Sequence, residues 1–176
     1  MVRSIHEDQG RLLNDFQREM VALLPRLRRF ARALARDAAD ADDLVQLTVE
    51  RALVRAGQWR FGARLDSWMF RIMKNAWIDE ARSRSRWGRV FAPEEAGAQA
   101  GEDGAGAMEL RLQAREVEAA MARLPDDQRL AVALVLVEGL SYAEAAEVLE
   151  TPVGTLTSRL VRGRMALMAQ LEERRP

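Results

Sequence analysis

Residues 139–160 read GLSYAEAAEVLETPVGTLTSRL, and the fold turns on how they are read. Ser141 followed three residues later by Glu144 is a capping box, in which each side chain satisfies a backbone N–H of the other and starts a helix. That helix runs to Leu149. Glu150-Thr151-Pro152-Val153-Gly154 then breaks it, since proline cannot continue a helix and its neighbours favour a turn. A second helix follows to about Leu171. Two short helices joined by a tight turn make a helix-turn-helix, whose second helix fits the major groove of duplex DNA. The spacing predicts Val153, Leu156, Leu160 and Leu167 as its buried stripe. Thr155, Ser158, Arg159 and Arg162 fall on the opposite side, short hydroxyls ahead of arginines, and such side chains suit base edges and phosphates. An ordinary solvated helix has the same spacing, so this segment alone leaves both readings open.

Two further helices are predicted upstream, at about Met108–Leu124 and Asp126–Glu138. By composition the run Leu130–Val137 would also suit a buried strand, but no partner strand is visible and its neighbours are helical. Before them, from Gly88 to Met108, GRVFAPEEAGAQAGEDGAGAM has neither a helical nor a strand period and reads as a flexible, acidic linker. The chain therefore divides into residues 1–87, a linker at 88–108, and residues 109–176. The predicted fold class is all-α: two small helical domains joined by that linker, the C-terminal one carrying the helix-turn-helix.

In the first module Leu12 to Arg36 is apolar at helical spacing, with Pro25 either starting a new helix or kinking this one. Asp40 is placed to cap the next helix, which buries Leu44, Thr48 and Ala52. Asp66 is placed to cap a third, running to about Arg86. Between them lies a loop, residues 57–64, with two glycines and the aromatics Trp59 and Phe61.

Formal net charge is zero, but its distribution is not even: residues 1–88 hold 17 basic and 12 acidic side chains, and residues 117–176 hold 7 and 9. The excess of positive charge concentrates between Trp59 and Phe91, which also hold all four tryptophans. On the third helix Trp68, Met69, Ile72, Met73, Ala76 and Trp77 cover an apolar face, which is the composition of a core. The other face gathers Arg71, Lys74, Asn75, Ile78 and Arg82. Cations beside an amide and an exposed isoleucine suit unstacked bases and their backbone, with Trp59, Phe61 and Arg64 of the loop beside them. A third cluster is acidic. Asp37, Asp40, Asp42 and Asp43 precede Leu44, and Asp43, Gln46 and Glu50 line one side of the second helix with Leu47 beside them. A solvated helix start explains these acids, and so does a protein-docking surface.

Other classes of function find little support. With no cysteine there is no disulfide framework, thiolate metal site or cysteine nucleophile. No phosphate loop, metal-ligand spacing or suitably placed histidine points to an enzyme, a cofactor or a metal. Leu130–Val137 is far too short to cross a membrane, and the N-terminus does not resemble a secretory signal, so a cytoplasmic protein without membrane insertion is expected.

The order of these features resembles the extracytoplasmic-function (ECF) sigma factors, which keep only regions 2 and 4 of larger sigma factors. Asp40-Ala41-Asp42-Asp43-Leu44-Val45-Gln46 is similar to the region 2 helix that docks on the β′ clamp of RNA polymerase. Leu65 to Ile72, with Asn75, Asp79 and Arg82, resembles the segment that reads the −10 element. Leu124-Pro125-Asp126-Asp127-Gln128-Arg129, followed by Gly139 to Leu160, is similar to region 4, which reads the −35 element and docks on the β flap. Leu47 stands where the family usually carries an acid, and Thr157 where a lysine is common. The resemblance implies a sigma factor that binds core polymerase through Asp42, Asp43, Gln46, Leu47 and Glu50. It would read −35 DNA through Thr155, Ser158, Arg159 and Arg162. It would read −10 DNA through Trp59, Phe61, Arg64, Arg71, Lys74, Asn75, Ile78 and Arg82. Its partners would be core polymerase, promoter DNA and an anti-sigma factor. A sigma-like decoy for such an anti-sigma protein, or a stand-alone helix-turn-helix regulator, are the alternatives.

Overall fold

Pro25 does not break the first helix: α1 runs unbroken from Val2 to Leu34. A proline inside a helix deprives the carbonyl four residues back of its donor. Here Pro25 and Val21 both lie on the exposed side, where water can supply that bond. The structure, a computed structural model, describes residues 2–59, 63–87 and 105–173. The expected linker up to residue 104, and Phe61, lie outside the described residues.

α2 (Ala38–Val54) is capped by Asp37, not by Asp40 as the sequence suggested. The Asp37 backbone is extended, and its carboxylate accepts the Asp40 N–H at 2.9 Å, which places Asp40 inside the first turn. A 3-10 turn (Ala56–Gln58) leads toward α3 (Leu65–Trp87), in which Asp66 again lies within the first turn. α4 (Ala105–Ala122) begins three residues earlier than expected and takes the end of the segment read as linker.

The run Leu130–Val137 is helical, in two parts. α5 (Asp126–Val132) continues as a π-helical turn (Ala133–Val137), where the Glu138 N–H reaches back five residues to the Ala133 carbonyl at 3.0 Å. Gly139 follows at φ +70°, a left-handed conformation that suits glycine, and turns the chain into α6 (Tyr142–Leu149). The capping box between Ser141 and Glu144 is present with both bonds made. Glu150 ends α6 at φ 54°, the one described non-glycine residue in the left-handed region. α7 (Val153–Glu172) completes the helix-turn-helix.

Two helical groups, α1–α3 and α4–α7, lie against each other and share one apolar core. Phe30 of α1 and Phe70 of α3 meet edge-on at 5.0 Å between centroids, and Leu34, Met69, Met73, Leu134 and Leu156 are fully buried around them. Burying such side chains contributes about 1.5–3 kcal/mol each. α1 packs on α4, α5 and the π-helical turn, while α3 packs on α6. Gly163 of α7 lies close against α5: a Cβ there would lie 2.9 Å from Val132 Cγ2 and 3.1 Å from Gln128 Cβ.

A buried arginine ties the two groups. Arg129 of α5 donates to the Leu34 carbonyl at the end of α1 at 3.0 Å, and to the Ala122 and Leu124 carbonyls at the end of α4 at 2.5 and 3.1 Å. Its guanidinium also lies 5.5 Å from the Trp77 ring centroid. Helix C-termini present carbonyls without intrahelical donors and a partial negative charge, and a guanidinium fork answers both.

Candidate nucleic-acid and protein-docking surfaces

α7 presents the polar face that its sequence predicts, with two changes. Thr155, Ser158 and Arg162 are exposed together. The Ser158 hydroxyl donates to the Gly154 carbonyl at 2.9 Å, and Arg162 Nε to the Ser158 carbonyl at 3.2 Å, so both are held along the helix. Arg159 turns toward α5 and pairs with Asp127 at 3.1 Å. Val153, expected in the buried stripe, is 46% exposed. It is the first residue of α7, and the helix has not yet closed on its neighbours there. Leu156, Leu160 and Gly163 are buried and Leu167 half-buried, so glycine takes a place in the stripe expected for apolar side chains.

The cationic face of α3 is arranged differently from the expectation. Lys74 is buried and pairs with Glu150 at 2.7 Å. Arg71 reaches the Glu147 carbonyl at 3.3 Å and its carboxylate at 3.5 Å. Arg64 pairs with Glu144 and forks onto Asp66 at 3.1 and 2.7 Å. Asn75 and Arg82 are exposed, while Ile78, expected exposed, is half-buried against the core. Trp59 is also turned inward, its ring 5.5 Å from that of Phe16, and Trp68 packs on the same ring from 6.1 Å. An indole offers more apolar surface than a loop can leave in water, and Phe16 supplies the partner. Trp59, Arg64, Ser67, Trp68 and Arg71 nevertheless line one groove, whose far wall is Glu144 and Glu147 of α6.

Asp66 organises the start of this face. Burial pushes its carboxyl up, but hydrogen bonds from Arg64, Arg26 and the Ser67 N–H outweigh burial and hold it far below the usual carboxylate range. The same bond from Arg64 to Asp66 raises the arginine. The Glu150 carboxyl is lowered by its hydrogen bond from Lys74 and by the charges of Lys74 and Arg71.

On α2, Asp42, Asp43, Gln46 and Glu50 are exposed on one side, with Gln46 Nε2 donating to Glu50 at 2.9 Å. Leu47 is half-buried and packs on the core. Leu53 and Val54, 45% and 87% exposed, extend this polar face with apolar surface that the sequence reading passed over. Glu138, also passed over, is buried in the π-helical turn and pairs with Arg26 at 3.2 Å and Arg29 at 3.3 Å. Its one sequence signal was an acid directly after a long apolar run. Among the described residues no group of acids and histidines is placed to hold a metal, and no helix is long and apolar enough to cross a membrane.

Residues 114–167 match the family model described as Sigma-70, region 4, and residues 20–74 the one described as the Sigma2 domain of PhyR. The chain is 36% identical over 168 residues to the ECF RNA polymerase sigma factor EcfG of Rhodopseudomonas palustris, covering 91% of this chain and 87% of that protein. It is 36% identical over 141 residues to the ECF RNA polymerase sigma factor SigM of Mycobacterium tuberculosis, covering 80% and 69%. Among solved structures, the sigma factor RpoE of Bartonella quintana, in complex with the anti-sigma factor NepR, is similar with a TM-score of 0.74 and 32% identity. That match covers 92% of this chain and 99% of the other. CnrH, in complex with the cytosolic domain of CnrY, is similar with a TM-score of 0.63 and 26% identity, over 90% and 91%.

Proposed function

The chain belongs to the ECF RNA polymerase sigma factors, and from that premise we propose how its residues divide the work. It binds core RNA polymerase, recognises −35 and −10 promoter elements and promotes transcription initiation. Residues 1–87 form the core-binding and −10 domain, 88–108 the linker, and 109–176 the −35 domain. The two family matches fall inside the first and last of these. Asp42, Asp43, Gln46 and Glu50 dock on the β′ clamp, with Leu47 at the edge and Leu53 and Val54 as an apolar extension. Thr155, Ser158 and Arg162 face the −35 major groove, and Arg159 joins them by leaving Asp127. Region 4 also docks on the β flap.

The −10 element is read by Arg64, Arg71, Lys74, Asn75, Ile78 and Arg82, with Trp59 and Phe61 assigned as its aromatic platforms. Extruding a base costs a few kcal/mol, and stacking on an aromatic ring contributes about 1–3 kcal/mol per base, so ring and phosphate contacts together can offset the cost. The observation that carries this reading is the placement of two cations, Arg64 and Arg71, along a groove that also holds Trp59 and Trp68. Like RpoE with the anti-sigma factor NepR, the protein takes an anti-sigma factor as partner, and it works in the cytoplasm.

The test is in vitro transcription with core polymerase and a pooled promoter library, with transcript starts sequenced. Starts that depend on this protein and share spaced −35 and −10 sequences are expected. Binding to core without any transcript would favour an anti-sigma decoy instead.

A further inference from the structure

Arg159 and Arg162, both assigned to the −35 face of α7, are held in different ways. Arg162 donates along its own helix to the Ser158 carbonyl at 3.2 Å, which steadies the side chain and leaves its charge in place. Arg159 Nε instead lies 3.1 Å from Asp127 Oδ2 on α5, so a carboxylate offsets its charge. Both members of this pair reach solvent, the arginine side chain 30% and the aspartate 47% exposed. Asp126 and Asp127 together begin α5, and the positive end of a helix dipole accounts for acids there. The dipole gives no reason for an arginine of α7 to be turned onto the second of them.

Resting on the −35 assignment above, we propose that Asp127 tunes −35 recognition by engaging Arg159, at a cost that the preferred base pair must offset. The sign follows from comparing two duplexes. On the preferred one Arg159 exchanges the carboxylate for a base edge with two acceptors, such as guanine O6 and N7, and binding loses the strength of the ion pair. On another base pair the guanidinium fork finds fewer acceptors, Arg159 stays with Asp127, and nothing is lost. The ion pair therefore weakens good sites more than poor ones and narrows the range of −35 sequences that the protein tells apart. An exposed pair is weak and screened by salt, so the narrowing is modest and greatest at low ionic strength. Asp127 touches no base in this scheme; it is a positioning residue that acts through Arg159.

The experiment uses the full chain assembled with core polymerase and a duplex promoter library randomised across the −35 element. Bound and unbound DNA are sequenced over a series of holoenzyme concentrations. The proteins compared are wild type, Asp127→Asn, Arg159→Ala, the double variant, and Asp126→Asn, which makes the same charge change one residue away. Asp127→Asn is expected to bind the sequences that wild type prefers about three- to fivefold more tightly, the size of one exposed ion pair, and the disfavoured ones less than about twofold. The sharpened preference should fall at the base pair where Arg159→Ala loses it, and should shrink at high salt. In the Arg159→Ala background, Asp127→Asn should leave that preference unchanged. Asp126→Asn should move all sequences together.

Equal gains by Asp127→Asn on preferred and disfavoured sequences would reduce the effect to net charge and overturn the proposal. So would a loss of preference, which would make Asp127 a buttress that aims Arg159 at its base. A purely structural pair would lower the urea midpoint of Asp127→Asn and leave its −35 preference as in wild type, which also overturns it. If Arg159→Ala keeps the wild-type preference at every −35 position, the fault lies in the −35 assignment of Arg159, and the tuning falls with it.

Discussion

The two helical groups meet at two ends built on different principles. At one end α1 lies against α4, α5 and the π-helical turn, through apolar side chains, the buried Arg129 and the buried Glu138. At the other end α3 meets α6 through a row of ion pairs, of which Arg64–Glu144 and Arg71–Glu147 are partly exposed and only Lys74 is a covered charge. Removing one partner of a buried charged contact strands the other without solvent, while removing one partner of an exposed pair returns the other to water. The first end is therefore expensive to open, and the second costs less except at the buried Lys74.

Replacing the buried cation should have the largest effect. Arg129→Ala leaves three helix-end carbonyls without their donor and is expected to lower unfolding stability by about 3 kcal/mol, read from the urea midpoint. A loss below about 1 kcal/mol would break the contrast between the two ends. Gly163→Val should come next, at about 2–3 kcal/mol, because α7 cannot move off Val132 and Gln128 without opening the core. Gly154, with nothing within 4 Å of its would-be Cβ, takes Gly154→Ala with a change inside about 0.5 kcal/mol.

Asp66 sharpens the contrast through pH. Its folded carboxyl titrates below the unfolded one, so the stabilisation is complete above the ordinary carboxylate range and is lost as pH falls through that range and below, from about pH 4 downward. Asp66→Asn should cost about 1 kcal/mol at neutral pH and flatten the acid limb of a stability–pH curve. A curve identical to wild type would remove Asp66 as the organiser of this corner. The smallest effect is expected from Glu147→Gln, which removes an exposed partner of Arg71 and should change the unfolding free energy by less than about 0.5 kcal/mol in a urea titration.

Most of the fold was legible because each helix boundary carries a local chemical mark. The Ser141–Glu144 box and Pro152 each act within a few residues. The differences arise where two equivalent marks compete or where tertiary contact decides. Asp37 and Asp40 both suit a cap, and only backbone geometry selects the earlier one. Trp59 reads as a platform in a glycine-rich loop, yet Phe16, forty-three positions away, draws it in. The candidate surfaces were legible as faces but not as contacts. Glu144 was accounted for by capping and Glu150 by turn formation, and Glu147 was given no role. Nothing local says that the cations of α3 lie opposite them. Arg129 carries no signal of burial, since three carbonyl partners from two helix ends come together only in the folded chain.

Glu150 holds a left-handed backbone, a conformation that costs a residue with a Cβ roughly 1–2 kcal/mol and costs glycine little. The helix-turn-helix would thus be easier to form with Glu150→Gly. That single change would also delete the carboxylate that meets Lys74. Thermodynamic improvement of the turn and loss of the buried lysine's counter-charge are therefore one and the same mutational step.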